Sequence, residues 1–225
     1  MPSVLFVFTS VNKTLTGEQT GWYLPEAAHP YWVLAPHATI DFAAPAGPNP
    51  EVDEGSLQAF ANDEESQKFL KDETVKAKLA SAKKLSEVNV KDYDAIFYVG
   101  GHGPVIDLAE NPMNIALASQ FYQAGKIVSA VCHGPAAIVG AIGADGKPIF
   151  AGKRVTGFSN AEEDLVKGTK AMPFLLEDKL TALGGKYEKA AEPWGSHVVV
   201  DGNLLTGQNP ASAGPLGQAI LKALK

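Results

Sequence analysis

The chain has only one cysteine among its 225 residues, and this scarcity excludes several classes of protein. A disulfide framework within the chain needs a second cysteine, and zinc sites built from several thiolates need more than one. A reducing compartment suits such a chain, so we expect a cytoplasmic protein. The sequence also leaves a single thiol, Cys132, as its only cysteine nucleophile.

Positive charge and long apolar runs are also scarce. The chain has 19 Lys and Arg against 25 Asp and Glu, a formal net charge of -6 and a pI near 5.4. A protein that follows a phosphate backbone needs the opposite balance. Runs such as Val4–Phe8 are far shorter than the roughly 20 residues of a membrane span, and no signal peptide is visible. We therefore expect neither nucleic acid nor membrane as a partner.

Short apolar runs alternate with longer segments of helical pattern, which is typical of an α/β fold with a mostly parallel sheet. The predicted strands are Val4–Phe8, Ala38–Phe42, Ala95–Val99, Ile127–Val131, Arg154–Gly157, His197–Val200 and Asn203–Thr206. The last two are joined by Asp201-Gly202, a favourable hairpin turn. The predicted helices are Trp22–Leu34, Ala116–Gln123, Gly134–Gly140, Phe174–Leu183 and Pro210–Leu224. We predict one domain over 1–225, with 44–92 as an inserted segment that holds a surface helix with a solvated face at Asp63–Leu85.

The predicted strand before Cys132 runs directly into it, and a Gly-Pro pair then opens a helix. Ala130 and Gly134, two residues on either side, leave room for the sharp turn of a nucleophile elbow. A helix N-terminus favours thiolate over thiol, so we predict an exposed cysteine with a lowered pKa. The N–H of His133 should point to where an oxyanion forms. A lone cysteine is otherwise a small buried hydrophobe, which would need neither this turn nor the adjacent histidine.

A second turn, Gly100-Gly101-His102-Gly103, also follows a predicted strand. The carboxyl ends of parallel strands meet at one edge of a sheet, so this turn should lie beside Cys132. The N–H of Gly101 is then a candidate second donor to an oxyanion. The turn lacks the Lys-Ser/Thr of a phosphate loop and the third glycine of a dinucleotide fingerprint.

Three acidic residues are candidates for the same site. Glu26 lies among apolar and aromatic residues, where a carboxyl group should have a raised pKa and can donate a hydrogen bond to a thiolate. Glu162 and Glu163 follow another strand and turn, and either can orient His133 as the third member of a Cys–His–acid set.

Candidate pocket residues are less sharply indicated. They are Gly100, His102, Trp22, His29 and Trp194, and the two tryptophans have core packing as an alternative. The histidines and acids show no H-E-x-x-H type of spacing, so we predict no metal.

Taken together, these segments resemble the ThiJ/PfpI superfamily, the class I glutamine amidotransferase-like proteins, over nearly the whole chain. The matching segments are Ala130–Ala136, Gly100–Gly103, Thr206–Ala213, and Glu26 followed by Ala27, His29 and Pro30. The resemblance implies a flavodoxin-like three-layer sandwich with a small β-hairpin and an inserted helical segment. It points to the heat-shock branch, which implies a glutathione-independent glyoxalase that converts methylglyoxal, a 2-oxoaldehyde, to D-lactate without metal or organic cofactor. Holdase chaperone activity toward unfolded clients, deglycase activity and a homodimer are further implications.

The family motif implies a role for each matching residue. Cys132 corresponds to the nucleophile, His133 to the base and Glu26 to the acid beside the thiol. Glu163 corresponds to the triad acid, with Glu162 as the less favoured alternative.

Other functions use the same side chains. A redox-sensing holdase would oxidise Cys132 to a sulfinic acid without catalysis. A cysteine peptidase or other hydrolase and an isocyanide hydratase of the same superfamily also stay open. A glutamine amidotransferase is disfavoured, because its late His-x-Glu pair is absent and His197 is followed by Val198-Val199.

Overall fold

The computed structural model describes residues 1–225 and is built around a seven-stranded sheet. The strands are β1 (Ser3–Val7), β2 (Thr39–Ala44), β3 (Lys83–Lys84), β4 (Ala95–Tyr98), β5 (Ile127–Val131), β6 (Arg154–Val155), β7 (Lys186–Tyr187), β8 (Val198–Asp201) and β9 (Leu204–Gly207). The order in the main sheet is β3-β2-β1-β4-β5-β9-β8, and only the β8–β9 pair is antiparallel. Strands β6 and β7 form a separate parallel pair.

The helices are α1 (Leu24–Leu34), α2 (Glu54–Ala59), α3 (Glu64–Lys71), α4 (Glu73–Ala80), α5 (Gly103–Asp107), α6 (Pro112–Gln123), α7 (Asn160–Leu165), α8 (Leu176–Ala182) and α9 (Ala213–Ala223). Short 3₁₀ helices cover Leu85–Glu87, Val90–Asp92, Gly134–Ile138 and Pro210–Ser212. None of these helices combines the length and the apolar character that crossing a membrane requires.

Strand β4 shows how the three layers are built. Its side chains point alternately to opposite faces of the sheet, and all four of its residues are buried. On one face of the sheet, Phe97 packs edge-on against Phe6, and the Phe6 ring packs edge-on against Tyr31 of α1. On the other face the Tyr98 hydroxyl donates to Asn114 of α6, at 2.8 Å. Helices therefore cover both sides, which confirms the predicted flavodoxin-like α/β sandwich.

The strand order also shows where a ligand should bind. The chain turns toward one edge of the sheet after β1 and toward the other edge after β4. In open α/β sheets the crevice at such a reversal, beyond the carboxyl ends of the strands, is the usual ligand site. The segments that meet there are the start of α1, the turn Gly100–Gly103 and the turn after β5.

Several predicted elements have different bounds in the structure. The hairpin around Asp201-Gly202 is confirmed, with β8 and β9 as its arms. The prediction of a core strand over Arg154–Gly157 is wrong: only two residues are extended, and they pair outside the main sheet. The N–H of Thr156 donates to the side-chain hydroxyl of Thr206 in β9 instead of to a backbone carbonyl, so the extended run stops after Val155. The predicted helix Gly134–Gly140 is a five-residue 3₁₀ helix, buried along its whole length.

The charged segment predicted as one surface helix, Asp63–Leu85, is broken into α3 and α4. Asp72 is extended, ends α3 and caps α4 by accepting from the N–H of Val75, at 3.0 Å. Asp63 caps α3 in the same way through Ser66. An aspartate that competes for backbone N–H groups favours such a break.

This segment also contributes to the core. Phe69 of α3 is fully buried and packs against Trp22 and Tyr31, with ring centroids 6.0 and 5.3 Å apart. One face of α3 therefore packs on the core, while its charged residues form the solvated face. The assignment of 44–92 as an insertion within one domain stays a prediction.

Candidate active site

The backbone turns sharply at Cys132, directly after β5. Its φ of 60° lies in the left-handed region, which a residue with a side chain rarely adopts. The Cys132 N–H donates to the Gly207 carbonyl and its carbonyl accepts from the Phe158 N–H, both at 2.9 Å. A strained residue persists only where its surroundings hold it, and these two bonds hold it from both sides.

The thiol of Cys132 is buried, with 4 % of the residue exposed. Burial raises its pKa well above the ordinary value, and the negative charge of Glu26 raises it further. The prediction of an exposed, acidified thiol is therefore wrong. It assumed a helix N-terminus beyond the turn, but the single 3₁₀ turn there does not offset the loss of solvent.

Glu26 lies in the first turn of α1 and is fully buried. Both carboxyl oxygens lack a hydrogen bond of ordinary geometry, although the group faces the Cys132 thiol and the N–H groups of Gly100 and Gly101. Burial raises the pKa of Glu26 well above its ordinary value. Gly100 makes the approach possible, because a Cβ there would lie 2.2 Å from a Glu26 oxygen and 2.8 Å from the Cys132 Cβ.

His133 lies on the other side of the thiol. Its Nδ1 is 3.5 Å from the Cys132 sulfur, and its Nε2 is 2.5 Å from an oxygen of Glu163 on α7. Burial lowers the pKa of His133, as does the charge of His102, in spite of the carboxylate. An imidazole held neutral between a thiol and a carboxylate has the contacts of a general base.

The Glu163 carboxylate is shared by two imidazoles. Its second oxygen is 2.9 Å from Nε2 of His102, and the two imidazole centroids are 4.4 Å apart. Burial opposes ionisation of Glu163, but the charge and hydrogen bonds of His133 and His102 outweigh it and lower the pKa. Gly168 permits the contact with His102, because a Cβ there would lie 1.9 Å from the Glu163 oxygen that faces His102. Sequence reasoning missed this glycine, which no motif marks.

These same three residues are the ones that could bind a metal ion, since their ligand atoms lie within 4.8 Å of one another. Each imidazole nitrogen that faces the carboxylate already has it as a hydrogen-bond partner. The metal-free site stays a prediction.

Glu162, the alternative acid, points away from His133. Its oxygens accept from the Ser159 N–H and hydroxyl, the Trp194 N–H and the side-chain amides of Gln208 and Asn209. Burial opposes ionisation of this carboxylate, but those donors outweigh it and lower its pKa. The contact with His133 therefore belongs to Glu163.

A pocket of about 60 Å³ opens over the thiol. It is lined by Tyr23, Gly101, His102, Cys132, His133, Phe158, Val166, Trp194 and Pro210. Neither the Gly101 nor the His133 N–H is used by a backbone hydrogen bond of a turn, loop or cap. Sequence reasoning missed Phe158, Val166 and Pro210, because their positions around the thiol depend on long-range packing.

Three of the predicted pocket residues do not line the pocket: Gly100 lies against Glu26 and Cys132, and the other two lie elsewhere. The Trp22 ring is buried against Phe8, with centroids 5.3 Å apart, and its indole N–H donates to the Pro50 carbonyl. His29 pairs with Asp63 of α3, at 2.9 Å. Both residues support the packing of the segment between β2 and β4 instead of the pocket.

Comparisons with known proteins agree with this geometry. Residues 59–223 match the model of the DJ-1/PfpI family. A Saccharomyces cerevisiae protein named glutathione-independent glyoxalase HSP31 is 33% identical, over 99% of this chain and 98% of its own length. The crystal structure of Candida albicans glyoxalase III has a TM-score of 0.90 at 30% identity, over 99% and 97% of the two chains. The Francisella tularensis Rapid Encystment Protein 24 kDa has a TM-score of 0.94 at 36% identity, with both chains fully covered. On these matches, the chain belongs to the DJ-1/PfpI family.

Proposed function

We propose that this protein is a glutathione-independent glyoxalase that converts methylglyoxal to D-lactate through a covalent intermediate on Cys132. The observation that carries the proposal is a buried thiol between two acid–base systems: the Glu26 carboxyl on one side and the His133–Glu163 pair on the other. Relatives that match nearly the whole chain are named for this activity.

The pocket fits a substrate of this size. A buried water needs about 10–15 Å³ of cavity, so a cavity of about 60 Å³ holds roughly four to six groups of that size. Methylglyoxal, with three carbons and two oxygens, is within this range.

In the first step the sulfur adds to the aldehyde carbon. The S–H bond breaks, its proton passes to Nδ1 of His133, and the C=O electron pair moves to oxygen. The N–H groups of Gly101 and His133 are the proposed donors to that oxyanion. Because burial raises the pKa of the thiol, the proton must leave as the S–C bond forms, instead of beforehand. The neutral His133 makes this transfer possible.

The next steps move hydrogen within the substrate. A base removes the proton from the former aldehyde carbon of the hemithioacetal, giving an enediol, and a proton returns to the adjacent carbon. One carbon is oxidised to the level of a thioester and the other is reduced to an alcohol, so no external oxidant is needed. Water then hydrolyses the thioester and releases lactate. His133 is the main proposed proton carrier, with Glu26 on the opposite side of the sulfur as the second.

The test is formation of D-lactate from methylglyoxal by purified protein without glutathione. Cys132→Ala should lower kcat/KM by about a thousandfold or more, because covalent catalysis is lost. The matched control is Ser129→Ala in the same strand, whose buried hydroxyl has no hydrogen-bond partner and should be dispensable. Activity of the Cys132 variant within tenfold of wild type would overturn the mechanism.

The assembly and the wider role are separate proposals. We propose a homodimer in a cytoplasmic setting that also protects unfolded clients, on the basis of the family resemblance alone. Light scattering of the purified protein distinguishes a dimer from a monomer. A holdase that works by oxidation of Cys132 would suppress aggregation only after peroxide treatment, and the Cys132→Ala variant would not.

A further inference from the structure

The pocket wall contains a tryptophan in an unusual backbone conformation. Trp194 has a φ of 66°, and a left-handed bulky residue is a true outlier among side chains of this size. The residue is 44 % exposed, so burial of its side chain does not account for the conformation. A strained, half-exposed aromatic residue at the mouth of a site therefore needs another explanation.

Buried polar groups hold this backbone in place. The Trp194 N–H donates to Glu162 at 2.9 Å, and the Gly195 carbonyl accepts from the Asn209 side chain at 2.7 Å. That same Asn209 amide also donates to Glu162, at 2.9 Å. Glu162 itself is fully buried, and a buried carboxylate is tolerated only with several such donors. Of these two neighbouring acids, Glu163 therefore contacts His133, and Glu162 holds the backbone at Trp194.

The indole is connected to the reacting atoms through one further ring. Trp194 packs edge-on against Phe158, with centroids 5.7 Å apart, and Phe158 packs against His133 at 4.4 Å. The Phe158 N–H also donates to the Cys132 carbonyl. The nucleophile, the base and the outer wall of the pocket therefore have fixed relative positions.

We infer that Trp194 sets the upper size of the 2-oxoaldehyde side chain, and that Glu162 is the positioning residue that holds it there. The indole borders a cavity of only about 60 Å³ over Cys132. Loss of the indole widens the mouth of this cavity and makes room for a phenyl group in place of the methyl group of methylglyoxal. The inference rests on the proposed function, because it specifies the substrate class of that site.

The first experiment compares methylglyoxal with phenylglyoxal. Trp194→Ala should shift the ratio of the two kcat/KM values toward phenylglyoxal by about tenfold or more, which is the scale of steric selection in a pocket. Trp194→Phe should give an intermediate shift. The matched control is Leu165→Ala, since Leu165 is also a large exposed hydrophobic residue but does not line the pocket. A ratio that changes equally in the control and in Trp194→Ala would overturn the inference.

The role of Glu162 is tested by combining variants. Glu162→Gln should shift the same ratio in the same direction by a smaller factor, because it weakens the hold on the Trp194 backbone without removing the indole ring. The Glu162→Gln and Trp194→Ala double variant should then show no shift beyond that of Trp194→Ala. A merely structural role would give additive losses and an unchanged ratio, which would contradict the assignment.

A second readout does not depend on catalysis. Because Cys132 is the only cysteine, alkylation by iodoacetamide and by its bulkier N-phenyl analogue reports access to the pocket directly. Trp194→Ala should raise the relative rate of the bulky reagent by about tenfold, the steric factor expected above, and Leu165→Ala should not. An unchanged relative rate in an active enzyme overturns the inference alone. Absence of D-lactate formation by the wild type overturns the proposed function, whatever the alkylation shows.

Discussion

Glu26 and Glu163 are both buried beside Cys132 and His133, yet their pKa values shift in opposite directions. Glu26 faces a thiol and two N–H groups without a hydrogen bond of ordinary geometry, and burial raises its pKa. Glu163 faces two imidazoles, and these lower its pKa in spite of burial. Partners, more than depth, decide the charge of a buried carboxyl group. Two acids with pKa values moved apart are the arrangement expected of a site that both gives and takes protons.

The largest effect should come from substituting Glu163, the acid whose pKa is lowered. Glu163→Gln leaves His133 without its carboxylate and with the wrong hydrogen-bond partner at Nε2. We expect kcat/KM for methylglyoxal to fall by about 10³ to 10⁴, as in other triads that lose their acid. Steady-state kinetics measure this. If Glu162→Gln lowered methylglyoxal activity more than Glu163→Gln, the assignment of the two neighbouring acids would have to be reversed.

Removing the acid with the raised pKa should have two opposite effects. Glu26→Gln takes away a carboxyl group that, once ionised, opposes ionisation of the Cys132 thiol, so alkylation by iodoacetamide at neutral pH should become faster by about tenfold. The same variant loses a proton carrier, so D-lactate formation should become slower by about 10². Slower alkylation together with slower turnover would show that Glu26 activates the thiol, contrary to this account.

The smallest effect concerns the pH profile. Since burial lowers the pKa of His133, the base stays neutral at pH values below the ordinary titration of histidine, and the acid limb of kcat/KM should lie below about pH 6.5. The positive charge of His102 contributes to this lowering. His102→Asn removes that charge, so the pKa of His133 should rise and the acid limb should move to higher pH. A shift to lower pH would contradict the proposed coupling.

Much of the fold follows from local patterns. Continuous apolar runs predict β1, β2, β4 and β5, and Asp201-Gly202 predicts the hairpin, because strand burial and turn geometry depend on neighbouring residues. The break at Asp72 is harder to predict, since a charged helical pattern continues on both sides of it. The short, separate β6 also depends on Thr206, which is distant in sequence.

The sequence indicates which residues meet at the site, but not how deeply the thiol is buried or which side chains surround it. The turn around Cys132 requires small residues in sequence, so its position is visible there. Burial of the thiol depends on Tyr23, Phe158 and Trp194, which come from three separate parts of the chain. The bridge from His102 to Glu163 spans 61 positions and has no local signature. Long-range packing therefore raises the pKa of the Cys132 thiol, where the local sequence predicted a lowered one.

The most direct test of the account is mass spectrometry of the protein quenched during turnover of methylglyoxal. Because the chain has one cysteine, a covalent intermediate has one possible site. The account predicts an adduct with the mass of one methylglyoxal on the peptide that contains Cys132, present during turnover and gone once substrate is consumed. Full turnover with modification confined to lysine or arginine side chains, and none on Cys132, would contradict it.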